Sequence, residues 1–376
     1  MSERAFDPAE KLARIRLART QAVGPVTFHD LVGRYGSARA ALGALPELAQ
    51  RGGRRAPLRI APIADAEREL DAHARLGAQL VACGEPGYPA PLAALEDAPP
   101  LVTVRGDLGL LARHCIAIVG ARNASVNGRR FAEMLARDLG AAGWCVVSGL
   151  ARGIDGAAHQ GALDSGTIGV VGGGADVVYP REHEALQTAV ATRGAVVAES
   201  PLGTEPRPHH FPRRNRVISG LSLGVVVVEA ALKSGSLITA RFAADQGREV
   251  FAVPGSPLDP RCRGSNGLIR DGAHLVEGAA DVIGVLETLH AGSPSPTPRG
   301  VPSAAPEHLD PGGEIDLDQA RAAVLEMLDP HPVPVDELVR RCQLSPAALM
   351  TALLELELAG RVLRHSGNRV ARVMDA

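Results

Sequence analysis

At 376 residues the chain is too long for one ordinary core, so two or three domains are expected. Hydrophobic content of 45% and charged content of 22% are globular values, and a net charge of -2 excludes a globally basic nucleic-acid binder, so any DNA or RNA site must come from local clustering. Cys83, Cys115, Cys145, Cys262 and Cys342 are far apart and form no C-x-x-C pair, which argues against zinc and a disulfide framework; with no apolar leader and no stretch long enough to cross a membrane, a reducing cytoplasm is the expected setting.

Residues 1–100 read as a mostly helical domain. Leu12, Ile15 and Leu17 precede the turn Val23-Gly24-Pro25-Val26, and Phe28, Leu31 and Val32 follow it. With Pro25 at the first helical position the turn reads as a plain helical connector. The alternative is a helix-hairpin-helix, whose backbone amides meet a DNA phosphate. Arg51-Gly52-Gly53-Arg54-Arg55 is a basic loop, and Asp65 to Leu76 is an amphipathic helix stopped by Gly77. Gly87-Tyr88-Pro89 leads into an extended stretch that runs to Pro99-Pro100.

Residues 101–290 alternate between strand and helix. Strands are predicted at Cys115 to Val119, Trp144 to Ser148, Thr167 to Val171, Ala195 to Glu199, Gly224 to Glu229 and Glu249 to Val253. Such alternation implies right-handed βαβ units and a Rossmann-like, doubly wound parallel sheet. Ligands then lie at the carboxyl ends of the strands, where the Gly, Ser and Arg residues sit. Residues 291–314, with Ser293-Pro294-Ser295-Pro296, read as a linker. Residues 315–376 predict three helices, the third capped by Ser345-Pro346, and then a hairpin: the outline of a winged helix. Such modules often bind DNA, but many dock proteins.

Three strand ends offer sites for an anion. Gly120-Ala121-Arg122 gives a tight turn and a guanidinium. Ser148-Gly149-Leu150-Ala151-Arg152-Gly153 gives small residues, whose amides a ligand can approach, and a second guanidinium. Lys233-Ser234-Gly235-Ser236 gives an ammonium, two hydroxyls and a helix N-terminus. A row of such corners suits a polymer of phosphates. Lys233 is one of only two lysines in an arginine-rich chain, the other being Lys11. Phe211, Arg213, Arg214, Asn215 and Arg216 form a basic loop before the fifth strand, and Phe211 is a candidate platform for base stacking. One of the three arginines is expected to pair with a carboxylate and the others to face a ligand.

Neither a Walker A motif nor a G-x-G-x-x-G fingerprint is present. Asp155 and His159, four apart, read as a helix cap and a structural histidine. Glu199 and Glu229 have no nucleophile to work with, and His209-His210 lack a third metal ligand. No cofactor and no metal is expected.

The segments IVGARNAS, VVSGLARGIDGAAHQGAL, TIGVVGGGADVVYP, FPRRNRVISGLSLGVVVVEAALKSGSLITARFAADQGREVFAVPG and SNGLIRDGAHLV resemble the bacterial DNA-processing protein A (Smf) family over most of residues 115–278. The resemblance implies a recombination mediator of natural transformation that binds and protects incoming single-stranded DNA and loads the RecA recombinase. It implies an extended Rossmann core that forms a homodimer, no catalytic activity, and flanking helical and winged-helix domains. Carried over by motif, the single-strand site would comprise Arg122, Ser148, Gly149, Ala151, Arg152, Gly153, Phe211, Arg214, Asn215, Arg216, Lys233, Ser234, Gly235 and Ser236. Pro208-His209-His210 replaces a basic residue that some members carry before the Phe-Pro pair. Two rival readings remain. One is a Rossmann-like nucleotide-monophosphate hydrolase, whose PGGxGTxxE motif is absent; Pro311-Gly312-Gly313-Glu314 lacks its continuation. The other is a winged-helix regulator with a nucleotide-sensing core.

Overall fold

The computed structural model describes residues 5–291, 317–365 and 367–373. From 292 onward the expected linker lies outside the described residues. Over the described residues the chain divides into two compact units, one from Arg68–Gly300 with Met1–Ala5, the other from Phe6–Glu67 with Val301–Ala376. The boundary expected at residue 100 thus moves to 67/68.

Four helices come first: α1 (Pro8–Arg19), α2 (Pro25–Tyr35), α3 (Ala38–Arg51) and α4 (Ile63–Leu76). Local chemistry sets their ends. The Asp7 carboxylate accepts from the amides of Ala9 and Glu10, Ser37 caps α3, and Gly36 closes α2 with a φ of 75°. Phe28, Leu31, Leu42 and Leu45 pack together in the core of α1–α3.

The core unit continues with β1 (Ala78–Ala82), α5 (Ala90–Ala93), β2 (Leu101–Gly106), β3 (Cys115–Val119), α6 (Val126–Ala141), β4 (Cys145–Ser148), α7 (Ile154–Ala162) and β5 (Thr167–Val171). It ends with α8 (Glu184–Arg193), β6 (Ala195–Ala198), α9 (His210–Leu221), β7 (Gly224–Val227), α10 (Ser236–Asp245), β8 (Glu249–Ala252), α11 (Arg263–Arg270), β9 (His274–Leu275) and α12 (Ala279–Ala291). Its nine-stranded sheet has the order β1-β2-β6-β5-β4-β3-β7-β8-β9. From β6 to β9 all pairs are parallel, whereas β2 joins β6, and β1 joins β2, antiparallel. These two antiparallel strands carry the domain boundary back to α4, because they pair into the core sheet.

The winding is the doubly wound one expected, with β4, β5 and β6 to one side of β3 and β7, β8 and β9 to the other. Alternate side chains serve opposite layers. Ile116, Ile118, Val146 and Val226 pack with α6, α7 and α12, while Cys115, Ala117, Val147 and Val225 pack with α9 and α10. Each fully buried Val or Ile here contributes roughly 1.5–3 kcal/mol.

The second unit is completed by α13 (Leu317–Met327), β10 (Val333–Pro334), α14 (Val335–Cys342), α15 (Pro346–Leu358), β11 (Val362–His365) and β12 (Arg369–Arg372), with sheet order β10-β12-β11. This is the winged helix. Ser345 caps α15 by accepting from the Ala348 amide, with Pro346 at its first position. Among the described residues no helix is long and apolar enough to cross a membrane.

Candidate nucleic-acid interface

The segment Phe211 to Arg216, expected to be a loop, is the start of α9. Helical phase then decides what each side chain does, because residues three apart share a face. Phe211 and Arg214 form one such pair and line a pocket at the ends of β3, β4 and β5. Arg213 and Arg216 form another and share one acceptor. Arg213 Nη2 donates to Glu199 Oε1 over 3.1 Å, and Arg216 Nη2 donates to the same oxygen over 2.6 Å. Arg216 is 4% exposed and also meets Asp97. Its guanidinium is therefore part of the core and does not face a ligand, contrary to expectation; two arginines, not one, pair with a carboxylate.

The loop after β4 is held from several sides. Ser148 is fully buried, and its hydroxyl donates to the Ile118 carbonyl over 2.6 Å. That hydroxyl is spent on the strand pair, so Ser148 drops out of the expected site. Gly149 leaves room for Arg214: a β-carbon there would lie 1.7 Å from Arg214 Nη1. Leu150 adopts a left-handed φ of 55°, a conformation that needs support in a leucine. Its amide donates to His159 Nε2 over 3.3 Å, and its carbonyl pairs with His183 Nδ1 over 2.9 Å. The Thr167 hydroxyl donates to the Val146 carbonyl, so His159 Nδ1 must donate to Thr167 Oγ1, which leaves Nε2 as the acceptor. Burial holds this neutral histidine down at a pKa of about 3, helped by His183 and Arg214. Gly153, at φ 76°, lets the loop close on the loop after β3, where a β-carbon would meet the Ala121 carbonyl at 2.2 Å.

The pocket formed by these loops brings together Arg122, Gly149, Ala151, Arg152, Phe211 and Arg214. The Arg122 guanidinium carbon stands 5.3 Å from the Phe211 ring centroid, within cation–π reach. Arg214 is 7% exposed; Nη1 donates to the Val170 carbonyl over 3.0 Å, while Nε is buried with no partner. Burial lowers Arg214 to about 10, and Arg122 pushes the same way against the attraction of Asp155. Asp155 is itself raised by burial, against the pull of Arg214. Cations thus outnumber the one buried acid beside them, and an anionic ligand would relieve the imbalance.

Tyr179 was missed by the motif reading. Its ring lies 5.5 Å from that of Phe211, at 41°, and it is 47% exposed at the pocket mouth. An aromatic in a glycine-rich strand-end loop of a chain with 3% aromatics was the available signal. Glu182, also missed, pairs with the exposed Arg152 and raises it. The third corner lies outside this pocket. Lys233 is exposed there and forms no ion pair among the described residues, Ser234 and Ser236 share a hydroxyl contact of 2.7 Å, and Gly235 precedes α10. Asn215 ties it to α9 by donating to the Gly235 carbonyl over 3.3 Å. Glu229 is committed to the start of α6, accepting from both the amide and the hydroxyl of Ser125. Among the described residues no cluster of three His, Cys, Asp or Glu side chains could hold a metal.

A family model for DNA recombination-mediator protein A matches residues 79–287. The chain belongs to that family. Models for a DprA-like N-terminal HHH domain and a DprA winged helix domain match residues 8–72 and 304–368. The turn at Val23 to Val26 lies inside the HHH match, which favours the helix-hairpin-helix alternative over a plain connector. Protein Smf of Escherichia coli is 40% identical over 286 residues, spanning 75% of this chain and 74% of that protein. DNA processing protein DprA of Bacillus subtilis is 43% identical over 218 residues, 57% of this chain and 73% of that one. The structure of DNA processing protein A from Streptococcus pneumoniae covers 74% of this recombination mediator and 98% of its own chain, with TM-score 0.61 and 33% identity. That of the Helicobacter pylori protein, described for its single-stranded DNA binding mode, covers 56% and 96%, with TM-score 0.51 and 29% identity.

Proposed function

We propose that this recombination mediator binds single-stranded DNA across the ends of β3, β4 and β5. The reading rests on one observation: Phe211 and Arg214, on one face of α9, meet Arg122 and the glycine loop beneath Tyr179. Arg122, Arg214 and the amides of Gly149 and Ala151 hold phosphates, and Phe211 with Tyr179 stacks a base. Arg152 contributes once it leaves Glu182. Asn215 positions the corner of Lys233, Ser234, Gly235 and Ser236, which takes the next phosphates along the strand. Gly153 shapes the loop rather than touching DNA.

The bound strand is protected and passed to RecA, as natural transformation requires, by a homodimer joined through its core units in the cytoplasm. The protein acts by binding, without catalysis. The two titratable groups of α7 support this, since Asp155 faces Arg214 and both nitrogens of His159 are occupied. Fluorescence anisotropy with oligo-dT and with duplex of equal length, across salt, tests the reading. At least about tenfold tighter binding of the single strand is expected, weakening steeply with salt. Equal affinity for the two would defeat it, and hydrolysis of a nucleotide monophosphate in a parallel assay would favour the enzyme instead. Faster RecA filament growth on a strand covered by single-strand-binding protein is the corresponding check on loading.

A further inference from the structure

The second unit contains two elements whose usual role is to touch DNA. The hairpin of a helix-hairpin-helix offers backbone amides to a phosphate, and the second helix of a helix-turn-helix enters the major groove. Here these are the α1–α2 turn and α15, and they are packed against each other. Helix α15 is apolar on two sides. Leu349, Leu353 and Leu356 fill the winged-helix core with Val324 and Leu338. Leu354 and Leu358 point elsewhere and join Phe28, Leu42, Leu45 and Leu48 in the core of α1–α3. The fit is close enough that a β-carbon on Gly52 would lie 1.9 Å from the Glu355 carbonyl. Arg34 donates to the Thr351 hydroxyl over 2.6 Å, and Arg54 donates to the Leu358 carbonyl over 3.2 Å.

The chemistry of α15 also fits a protein partner rather than DNA. The helix contains no lysine or arginine, and its only charges are Glu355 and Glu357, both buried. Glu357 Oε1 stands 3.9 Å from where a β-carbon on Gly24 would be, beside the hairpin that would otherwise hold a phosphate. Arg364 neutralises it over 3.2 Å and reaches Asp30 of α2 over 3.5 Å. A carboxylate of the winged helix thus occupies the neighbourhood of the hairpin's anion.

We propose that the N- and C-terminal parts of this unit form one module in which α15 masks the hairpin's DNA-binding face, so that duplex DNA reaches the hairpin only when the α3–α15 contact opens. The test uses the full chain with oligo-dT in excess and reads the anisotropy of a short labelled duplex. Leu354→Asp with Leu358→Asp strikes the α3 side of α15 and spares the winged-helix core; Gly52→Val separates the same faces without adding charge. Each is expected to raise duplex affinity at least about tenfold. Hydrogen exchange at the amides of Val26 and Thr27 rises in both, while oligo-dT affinity stays within about twofold, because the core unit is untouched. Wild-type duplex binding equal to that of both variants overturns the masking. So does faster exchange without a gain in duplex binding, and so does unchanged exchange in both variants. The comparison with wild type holds whether or not the core site takes oligo-dT.

Discussion

Arg214 keeps its charge in a place where water is scarce, and only one of its donors to protein is fixed. Its neighbours at the pocket, Arg122 and Phe211, are the residues whose loss should be felt in binding alone. Phe211→Ala is expected to cost about 1–3 kcal/mol in oligo-dT affinity, the value of one stacked base, with the thermal midpoint little changed. Arg216→Ala should do the opposite. It strands the Glu199 carboxylate in the core, and a broken buried pair costs about 3–5 kcal/mol, read as a loss of urea stability. His159 sets a pH dependence of its own. Its folded pKa of about 3 lies below the ordinary 6.5 of a free histidine, so between these limits the unfolded chain takes up a proton that the folded chain refuses. Stability is therefore full above about pH 6.5 and falls as the pH drops toward 3, at up to about 1.4 kcal/mol per pH unit. Equilibrium unfolding in urea between those limits measures it, and His159→Gln should flatten the profile. The motif made Arg214 and Arg216 look equivalent. Their difference is one of helical phase, which cannot be read while the segment is taken for a loop.

Helix α9 and the loop after β4 act together as the working element. The helix brings two faces, one lining the pocket of the proposed single-strand site and one for Glu199, and the loop makes room for it through glycines. Gly149→Ala would drive a β-carbon into Arg214 Nη1, so it is expected to weaken oligo-dT binding as much as removing the arginine. Gly153→Ala combines a left-handed φ with a clash at the Ala121 carbonyl, and a destabilisation of about 2 kcal/mol or more is expected by thermal denaturation. The glycines of this loop were legible as a ligand approach. Their service to a neighbouring guanidinium and a neighbouring loop was not, because it depends on which side chain crosses above them. The parallel strands were legible as unbroken β-branched runs. Strand β1, Ala-Gln-Leu-Val-Ala, was not: it is short and alanine-rich, and its strand character comes from pairing with β2.

At the level of the whole molecule, the proposed single-strand site lies wholly within residues 115–240. A fragment of residues 68–291 is expected to bind oligo-dT within about threefold of the full chain, as anisotropy at matched salt would show. A chain cut after residue 291 but keeping its first 67 residues should behave worse, since the apolar face of α1–α3 then lacks Leu354 and Leu358; light scattering would show self-association. The winged helix was legible in outline from its caps and hairpin. Its attachment to the N-terminal helices was not, although a leucine helix apolar on two sides already asks for a second cover. That attachment also has a cost in time. Arg54 and Leu358 meet across 304 residues of chain. A ribosome adding roughly 5–20 residues per second makes α15 some 15–60 s after α3 emerges. Throughout that interval the newborn N-terminal helices carry an uncovered leucine surface, so residues made late complete the folding of residues made early.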